Sequence, residues 1–417
     1  MREMKDSGIA WIGEIPREWG ITRVKSYFSH HKIIAGENAD NYERLALTLN
    51  GVIRRSKDDN EGLQPEEFRG YQILDENELV FKLIDLANVK TSRVGLSPYL
   101  GIVSPAYIIL HNDRKDNKFF YWWFMFMYYN EIFNQLGDNG VRSALNAKDL
   151  LCLPIVNIDE RKQHLISSYL DAKCSEIDRA LSLQEQMISE LRAYKQSLIT
   201  ETVTHGLNPN AKMKNSGVEW IGEIPEGWEV KRVKNVLAEC NEYTQTGKEE
   251  QLSVTQAKGI IRSKDANIAN PTNSTVGWRI VHRNNIVFNK YKAHSGVFFV
   301  SPYEGIVTFN YCVYECFNKD YPKYYEYLFK TPCCIGEFRK LMRGVGESIS
   351  PLYTKDLFAI FIPCPPIKDQ HAIASFLDEK CAEIDALIVL REKKMEALKE
   401  YKKSLIYECV TGKKQVI

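Results

Sequence analysis

Met4-Lys5-Asp6-Ser7-Gly8-Ile9-Ala10-Trp11-Ile12-Gly13-Glu14-Ile15-Pro16 recurs as Met213-Lys214-Asn215-Ser216-Gly217-Val218-Glu219-Trp220-Ile221-Gly222-Glu223-Ile224-Pro225. Two runs this alike do not arise by chance, so the chain is a tandem duplication. Outward from the first run, Trp19 and Arg23-Val24-Lys25 are matched by Trp228 and Arg232-Val233-Lys234. Ser97-Pro98-Tyr99-Leu100-Gly101-Ile102-Val103 is matched by Ser301-Pro302-Tyr303-Glu304-Gly305-Ile306-Val307. Gln163-His164 and Cys174-Ser175-Glu176-Ile177-Asp178 return as Gln370-His371 and Cys381-Ala382-Glu383-Ile384-Asp385. The anchors keep their order, so two units cover the chain. Between them the copies diverge, most at 27–50 against 236–258 and at 138–147 against 343–354. A shared frame with individual inserts suits two recognition modules of one architecture, and equally suits drift after duplication.

Each unit closes with a different kind of pattern. Over residues 160–204, Leu170, Cys174, Ile177, Leu181, Ile188, Leu191 and Leu198 fall on alternating four- and three-residue steps, interrupted by Gln184 and Lys195. Leu377, Cys381, Ile384, Ile388, Met395, Leu398 and Leu405 repeat the pattern, interrupted by Arg391 and Lys402. Such a stripe is a coiled-coil seam and demands a partner. Two helices of matched length in one chain pair most economically with each other, and antiparallel packing would set the globular regions at opposite ends; parallel packing and separate partners are the alternatives. Pro154 and the Pro363, Pro365, Pro366 group are expected to end the globular regions, and Gly206 with Pro209 the first helix. The expected fold is α+β, with mixed α/β domains at 1–155 and 207–363 and long helices at 156–206 and 364–417.

Within the globular halves, Gly70-Tyr71-Gln72-Ile73, Leu79-Val80-Phe81, Arg279-Ile280-Val281 and Ile286-Val287-Phe288 read as strands of a small sheet. The runs 296–300 and 305–309, joined through Ser301-Pro302-Tyr303-Glu304, suggest a hairpin. The apolar stretch from Phe119 to Tyr129 spans eleven residues, too few for a bilayer, and reads as a buried helix.

Hydrophobic residues make up 44% and charged residues 26%, which excludes a disordered chain. No apolar signal region follows the N-terminus, and a cytoplasmic location is expected. Ten cysteines in so long a chain suit a reducing compartment, and Cys312, Cys316, Cys333 and Cys334 lack the partners for a zinc set. With 55 Lys and Arg against 54 Asp and Glu the net charge is +1, so any nucleic-acid contact must rest on local basic clusters or on partner subunits.

Taken together, the twice-present Ser-Gly-x-x-Trp-Ile-Gly-Glu-Ile-Pro followed by Trp, and the Lys-Asp-Leu, proline and Gln-His run into a long Leu/Ile helix, resemble the specificity subunit of type I restriction-modification enzymes. The resemblance covers essentially the whole chain. It implies two target-recognition domains on a helical spacer, reading a bipartite double-stranded DNA target. It further implies two methyltransferase (modification) subunits and restriction/translocase subunits as partners. S-adenosylmethionine, ATP and Mg would then be bound by those partners and no cofactor by this chain. Helices of about 40 residues run roughly 60 Å, enough to separate two reading heads by a turn or more of duplex. Other readings are a coiled-coil adaptor that reads no DNA and the DNA-reading part of a methyltransferase of another type.

Catalysis by the chain itself is not expected. No Asn/Asp-Pro-Pro-Tyr/Phe motif, glycine-rich cofactor loop or phosphate-cradling Gly-Lys-Ser/Thr loop occurs. Cys364-Pro365-Pro366-Ile367 reads as a strand-to-helix stop, and the Glu-x-Lys spacings of 392–394 and 400–402 as coiled-coil surface charge. His164 and His371 are expected to pack or cap at the helix starts.

DNA contact is sought in loops rich in Arg, Lys, Ser and glycine. The basic stretch Arg54-Arg55-Ser56-Lys57 has a counterpart in Arg262-Ser263-Lys264 and suggests backbone contact by Arg54, Arg55, Lys57, Arg262 and Lys264, with Arg55 and Arg262 as the main phosphate contacts. Lys90 and Arg93, Lys290 and Lys292, Arg142 and Ser143, and Arg343 and Ser348 complete the candidate set. Tyr121-Trp122-Trp123 and Tyr324-Tyr325 are expected in the core or at a subunit interface. Leu170, Ile177, Leu181, Leu191 and Leu198, with Leu377, Ile384, Ile388, Leu398 and Leu405, are the helix-packing candidates.

Overall fold

The computed structural model describes residues 2–49, 51–59, 67–84, 86, 93–114, 116–136, 144–256, 258–266, 274–317, 321–342 and 351–416. The chain forms two compact units, Met1–Gln184 with Glu392–Ile417, and Glu185–Arg391. Each long helix is thus divided between the two units.

The first unit opens with a ribbon of β1 (Met4–Asp6) and β2 (Glu14–Pro16), the repeated motif, followed by β3 (Gly20–Arg23). β4 (Arg44–Thr48) and β5 (Gly51–Arg55) form a hairpin. β6 (Gln72–Leu74), β7 (Leu79–Phe81), β8 (Val94–Leu96), β9 (Gly101–Val103) and β10 (Ile108–Leu110) complete two sheets, ordered β5-β4-β9-β6 and β10-β7-β8. Helices α1 (Lys118–Tyr129), α2 (Ile132–Leu136) and α3 (Ala147–Cys152) follow, then β11 (Pro154–Asn157) and α4 (Glu160–His205).

The second unit repeats this plan. Its ribbon is β12 (Met213–Asn215) with β13 (Glu223–Pro225), followed by β14 (Glu229–Arg232) and β15 (Leu237–Glu239). Its hairpin is β16 (Leu252–Thr255) with β17 (Gly259–Arg262). β18 (Arg279–Val281) pairs with β21 (Gly305–Val307), whereas β19 (Ile286–Asn289), β20 (Phe298–Val300) and β22 (Tyr311–Cys316) join β15 in a sheet ordered β15-β22-β19-β20. α5 (Pro322–Phe329), α6 (Pro332–Leu341), α7 (Thr354–Ala359), β23 (Phe361–Cys364) and α8 (Ile367–Val410) close it.

Three expectations need correction. The runs around Ser301-Pro302 form no hairpin, because β20 pairs with β19 and β21 with β18. Ser301 Oγ donates to the Tyr303 carbonyl at 2.7 Å and so tightens the turn that carries the chain from one sheet to the other. Ser97 does the same to Tyr99 at 2.7 Å. The following glycine is needed for close approach: a Cβ on Gly101 would meet the Glu43 carbonyl at 2.6 Å, and Gly305 lies equally tight against Glu250. Second, the strands at 72–74 and 79–81 belong to different sheets, as do those at 279–281 and 286–289. Third, Pro154 and Pro363 do not end their regions. They sit in β11 and β23, which return to pair with β3 and β14. Each pair is a two-stranded ribbon, so a missing proline N–H faces away from the partner strand.

The cores explain why the helices are shared. In the first unit Phe120, Trp123 and Phe124 of α1 pack with Phe81, Ile155 and Leu170, and with Leu405, Ile406 and Val410 from the end of α8. In the second, Tyr324, Tyr325 and Phe329 pack with Phe288 and Phe298, with Ile199 and Val203 from the end of α4, and with Leu377 from the start of α8. Each unit therefore buries the start of one helix and the end of the other, an antiparallel pairing. Leu170, Ile177, Leu377, Ile384, Ile388 and Leu405 are buried, and Leu181, Leu191, Leu198 and Leu398 half-buried. Fully burying such a side chain contributes about 1.5–3 kcal/mol. Lys195 and Lys402, which break the apolar stripe, reach across it: Lys402 to Asp178 at 2.6 Å in the first unit, and Lys195 to Asp385 at 2.7 Å in the second.

Candidate nucleic-acid interface

The basic stretches expected as loops begin on strands: Arg54 and Arg55 end β5 and Arg262 ends β17, which start at Gly51 and Gly259, both at positive φ, whereas Lys57 and Lys264 lie just beyond them. Thr48 and Thr255 close the turns before these strands by donating to the glycine carbonyls at 3.0 and 3.2 Å. Alternate strand residues share a face. Val52 is buried, and Arg54 two residues on lies over the Tyr99 ring with its guanidinium carbon 4.4 Å from the centroid. In the second unit Ile260 is buried, and Arg262 lies over Tyr303 at 4.9 Å. Arg54 stands opposite Leu45 and Arg262 opposite Leu252. The structural counterpart of Arg262 is therefore Arg54. Arg55, expected with Arg262 as a main phosphate contact, instead pairs with Asp59 at 2.6 Å.

A guanidinium stacked on an aromatic face keeps its in-plane N–H donors turned outward, the geometry that suits a phosphate. Acidic neighbours hold the basic groups in place. Glu43 pairs with Arg54 at 2.7 Å, and Glu250 with Lys264 at 2.7 Å. Lys57 donates to the carbonyls of Ala39 at 2.9 Å and Asp40 at 3.2 Å. Arg54, Arg55 and Lys57 line one open hollow of about 420 Å³ with Arg44 and Glu43. The structure thus gathers the first basic stretch into a single surface.

Lys290 and Lys292 lie just beyond β19, Lys292 exposed and Lys290 at 5.4 Å from the Tyr291 ring centroid. Lys290 Nζ also donates to the Phe309 carbonyl at 3.4 Å. Phe309 is 67% exposed and Tyr291 45%, so aromatic faces flank these lysines. Phe309 was missed in the sequence because it continues an apolar run, whereas β21 ends two residues earlier. Arg93 is not a surface residue. It is 3% exposed, donates to the carbonyl of Leu86 and to Asn134 at 3.1 Å, and lies over Tyr128. Its charge is spent inside the unit. Lys90, Arg142, Ser143, Arg343 and Ser348 lie outside the described residues.

Other groups singled out by type have structural work. His371 stacks on Tyr321 at 4.0 Å, and His164 faces Asp116 at 3.4 Å. Beside them Gln163 donates to the Ile158 carbonyl at 2.9 Å and Gln370 to that of Pro365 at 3.0 Å, tying each helix start to the residue that follows the preceding strand. Trp123, Tyr324 and Tyr325 are fully buried. Burial pushes the thiols of Cys174 and Cys409 up to about 12, which keeps them protonated and unreactive. Among the described residues no three His, Cys, Asp or Glu side chains gather to hold a metal, and no helix is long and apolar enough to cross a membrane.

The duplicated α+β fold thus presents the same arginine–tyrosine hairpin in each copy. Residues 225–399 match the family described as type I restriction modification DNA specificity domain. A protein of Methanocaldococcus jannaschii, provisionally named type I restriction enzyme MjaX specificity subunit, is 24% identical, with 97% of this chain and 96% of that protein covered. Among solved structures, a chain from work on complex assembly and conformational transition of the type I R-M system aligns with a TM-score of 0.68 at 14% identity, covering 95% of this chain and 98% of that one. The HsdS subunit from Thermoanaerobacter tengcongensis aligns with a TM-score of 0.52 at 13% identity, again covering 95% and 98%. Residues 225–399 thus match a type I restriction modification DNA specificity domain, and along nearly its whole length the chain is similar to a type I specificity subunit.

Proposed function

We propose that the chain reads a bipartite double-stranded DNA target, one half-site per unit, and holds two methyltransferase subunits and the restriction/translocase subunits around it. The observation that carries this reading is the repetition of one basic device: Arg54 on Tyr99 and Arg262 on Tyr303, on equivalent hairpins. Repeated arginines serve contacts common to any duplex, the phosphates. The inserts that differ between the copies are where base reading belongs. Arg54, Arg55, Lys57, Arg262, Lys264, Lys290 and Lys292 form the described part of the interface, and Lys90, Arg142, Ser143, Arg343 and Ser348 extend it. Arg93 drops out as a buried residue.

The chemistry then resides in the partners, which would use S-adenosylmethionine, ATP and Mg in the cytoplasm. Coexpression with neighbouring modification genes, followed by mapping of methylated adenines on host DNA, tests the proposal. A split motif with a fixed unread gap is expected. Methylation at an undivided site would overturn it.

A further inference from the structure

Trp19 and Trp228 follow the repeated motif at equivalent places and are buried, 2% and 3% exposed. Trp228 donates its indole N–H to Asp369 Oδ2 at 3.2 Å, in the first turn of α8. The matching Gln163-His164 and Gln370-His371 pairs make Lys162 the counterpart of Asp369. A lysine ammonium only donates, and Trp19 Nε1 has no hydrogen-bond partner. A buried donor without an acceptor costs free energy that a suitable ligand would recover.

The lining of the two sites differs along with the carboxylate. The hollow beside Trp19, about 540 Å³, is lined by Arg2, Glu18, Lys162 and Lys414 together with Leu165 and Ile166. In the hollow beside Trp228, the places of Arg2, Glu18 and Lys162 are taken by Ala211, Gly227 and Asp369. Three cations thus face one lining carboxylate. Glu18 pairs with Arg2, and Asp159 with Lys162 at 3.2 Å. Lys414 lies 5.9 Å from the Tyr169 ring centroid, a contact that leaves its charge uncompensated by any carboxylate among the described residues. The start of the 46-residue α4 adds the positive end of its dipole.

We propose that this hollow is a carboxylate-binding site, in which a carboxylate from outside the chain accepts the Trp19 indole N–H as Asp369 accepts that of Trp228. Lys162 and Lys414 supply the countercharge. A free small carboxylate and an acidic side chain of a protein partner share this chemistry.

The test uses the full chain with its seven tryptophans ¹⁵N-labelled, titrated with sodium acetate against sodium chloride at constant ionic strength. The Trp19 indole N–H resonance should shift saturably while that of Trp228 stays put. Lys162→Asp restores an internal carboxylate at a helix N-terminus, where it is well tolerated. It should move the Trp19 resonance without acetate and abolish the response. No saturable shift at Trp19, or a response that survives Lys162→Asp, overturns the site. With the site established, a tenfold or greater loss of affinity for the modification subunits in Lys162→Asp assigns the natural carboxylate to a partner. Unchanged affinity assigns it to a free ligand. The acetate result does not depend on whether the chain reads DNA.

Discussion

Lys402 of α8 donates to both carboxylate oxygens of Asp178 of α4, at 2.6 and 2.8 Å. In the other unit Lys195 of α4 does the same to Asp385 of α8, at 2.7 Å to each oxygen. From 178 to 195 along α4 is seventeen residues, and so is from 402 back to 385 along α8, so the two pairs are equally spaced along both helices. Asp178 and Asp385 are more than half exposed, so each pair is worth little on its own. A double-mutant cycle of Lys402→Ala with Asp178→Ala should give a coupling of about 0.5 kcal/mol in urea unfolding. The coupling should shrink in 1 M salt. The Lys195–Asp385 cycle should match it, and a coupling indistinguishable from zero at low salt would remove the register role.

Arg54→Ala and Arg262→Ala should each weaken binding to all DNA sequences alike and reduce the salt slope by about one unit. Glu43→Ala should act the other way, because it frees Arg54 from its 2.7 Å ion pair. Filter binding across a salt series reads all three. A changed target motif with an unaltered slope would show that the arginines read bases.

Inserting seven residues after Gln184 and seven after Arg391 falls at the boundary of the compact units in both helices. Both ion pairs and both cores then stay within their own units. The half-sites should remain unchanged while the unread gap lengthens by about three base pairs, from roughly 10 Å of added helix. Insertion in α4 alone should cost stability, because the helix pair loses its register. Methylome maps of the two variants settle the outcome, and an unchanged gap in the matched variant would exclude a ruler.

His111 places Nδ1 2.5 Å from Glu78 Oε1 and Nε2 2.8 Å from the His31 carbonyl oxygen. Both neighbours accept hydrogen bonds, so the doubly protonated ring fits. Burial opposes that charge, but the hydrogen bond and charge of Glu78, with the His31 carbonyl and Asp75, outweigh it and raise the pKa above its ordinary value. The resulting stability is present in full below about pH 6.5, the ordinary value, and is lost as pH rises through the folded value. Urea midpoints should therefore fall from pH 6 toward pH 8.5 in the natural chain. His111→Asn should be less stable at the lower pH and show a flatter profile.

Much of this was legible in the sequence because it rests on local pattern. The repeated Trp-Ile-Gly-Glu-Ile-Pro motif, the seams from Leu170 and Leu377, and the stop at Pro365-Pro366 needed no knowledge of distant residues. Arg93 was misread because an arginine in a polar stretch looks exposed unless the Leu86 carbonyl and Asn134 are known to converge on it. Val300 and Gly305 looked like arms of one hairpin because their partners, β19 and β18, lie upstream in the chain.

From the sequence alone came the duplication, the α+β class, the two long helices and the family resemblance, since periodicity and repetition are properties of residue order. Tertiary structure alone decided that each core is completed by the start of one long helix and the end of the other, that Arg54 lies over Tyr99 as Arg262 lies over Tyr303, and that Lys195 and Lys402 join the helices they seemed to interrupt. It also left Trp19 without the acceptor that Trp228 has. The physical reason is common to all of these: a side chain's role is set by what meets it across the fold, and those partners lie from 41 to more than 200 residues away in the chain.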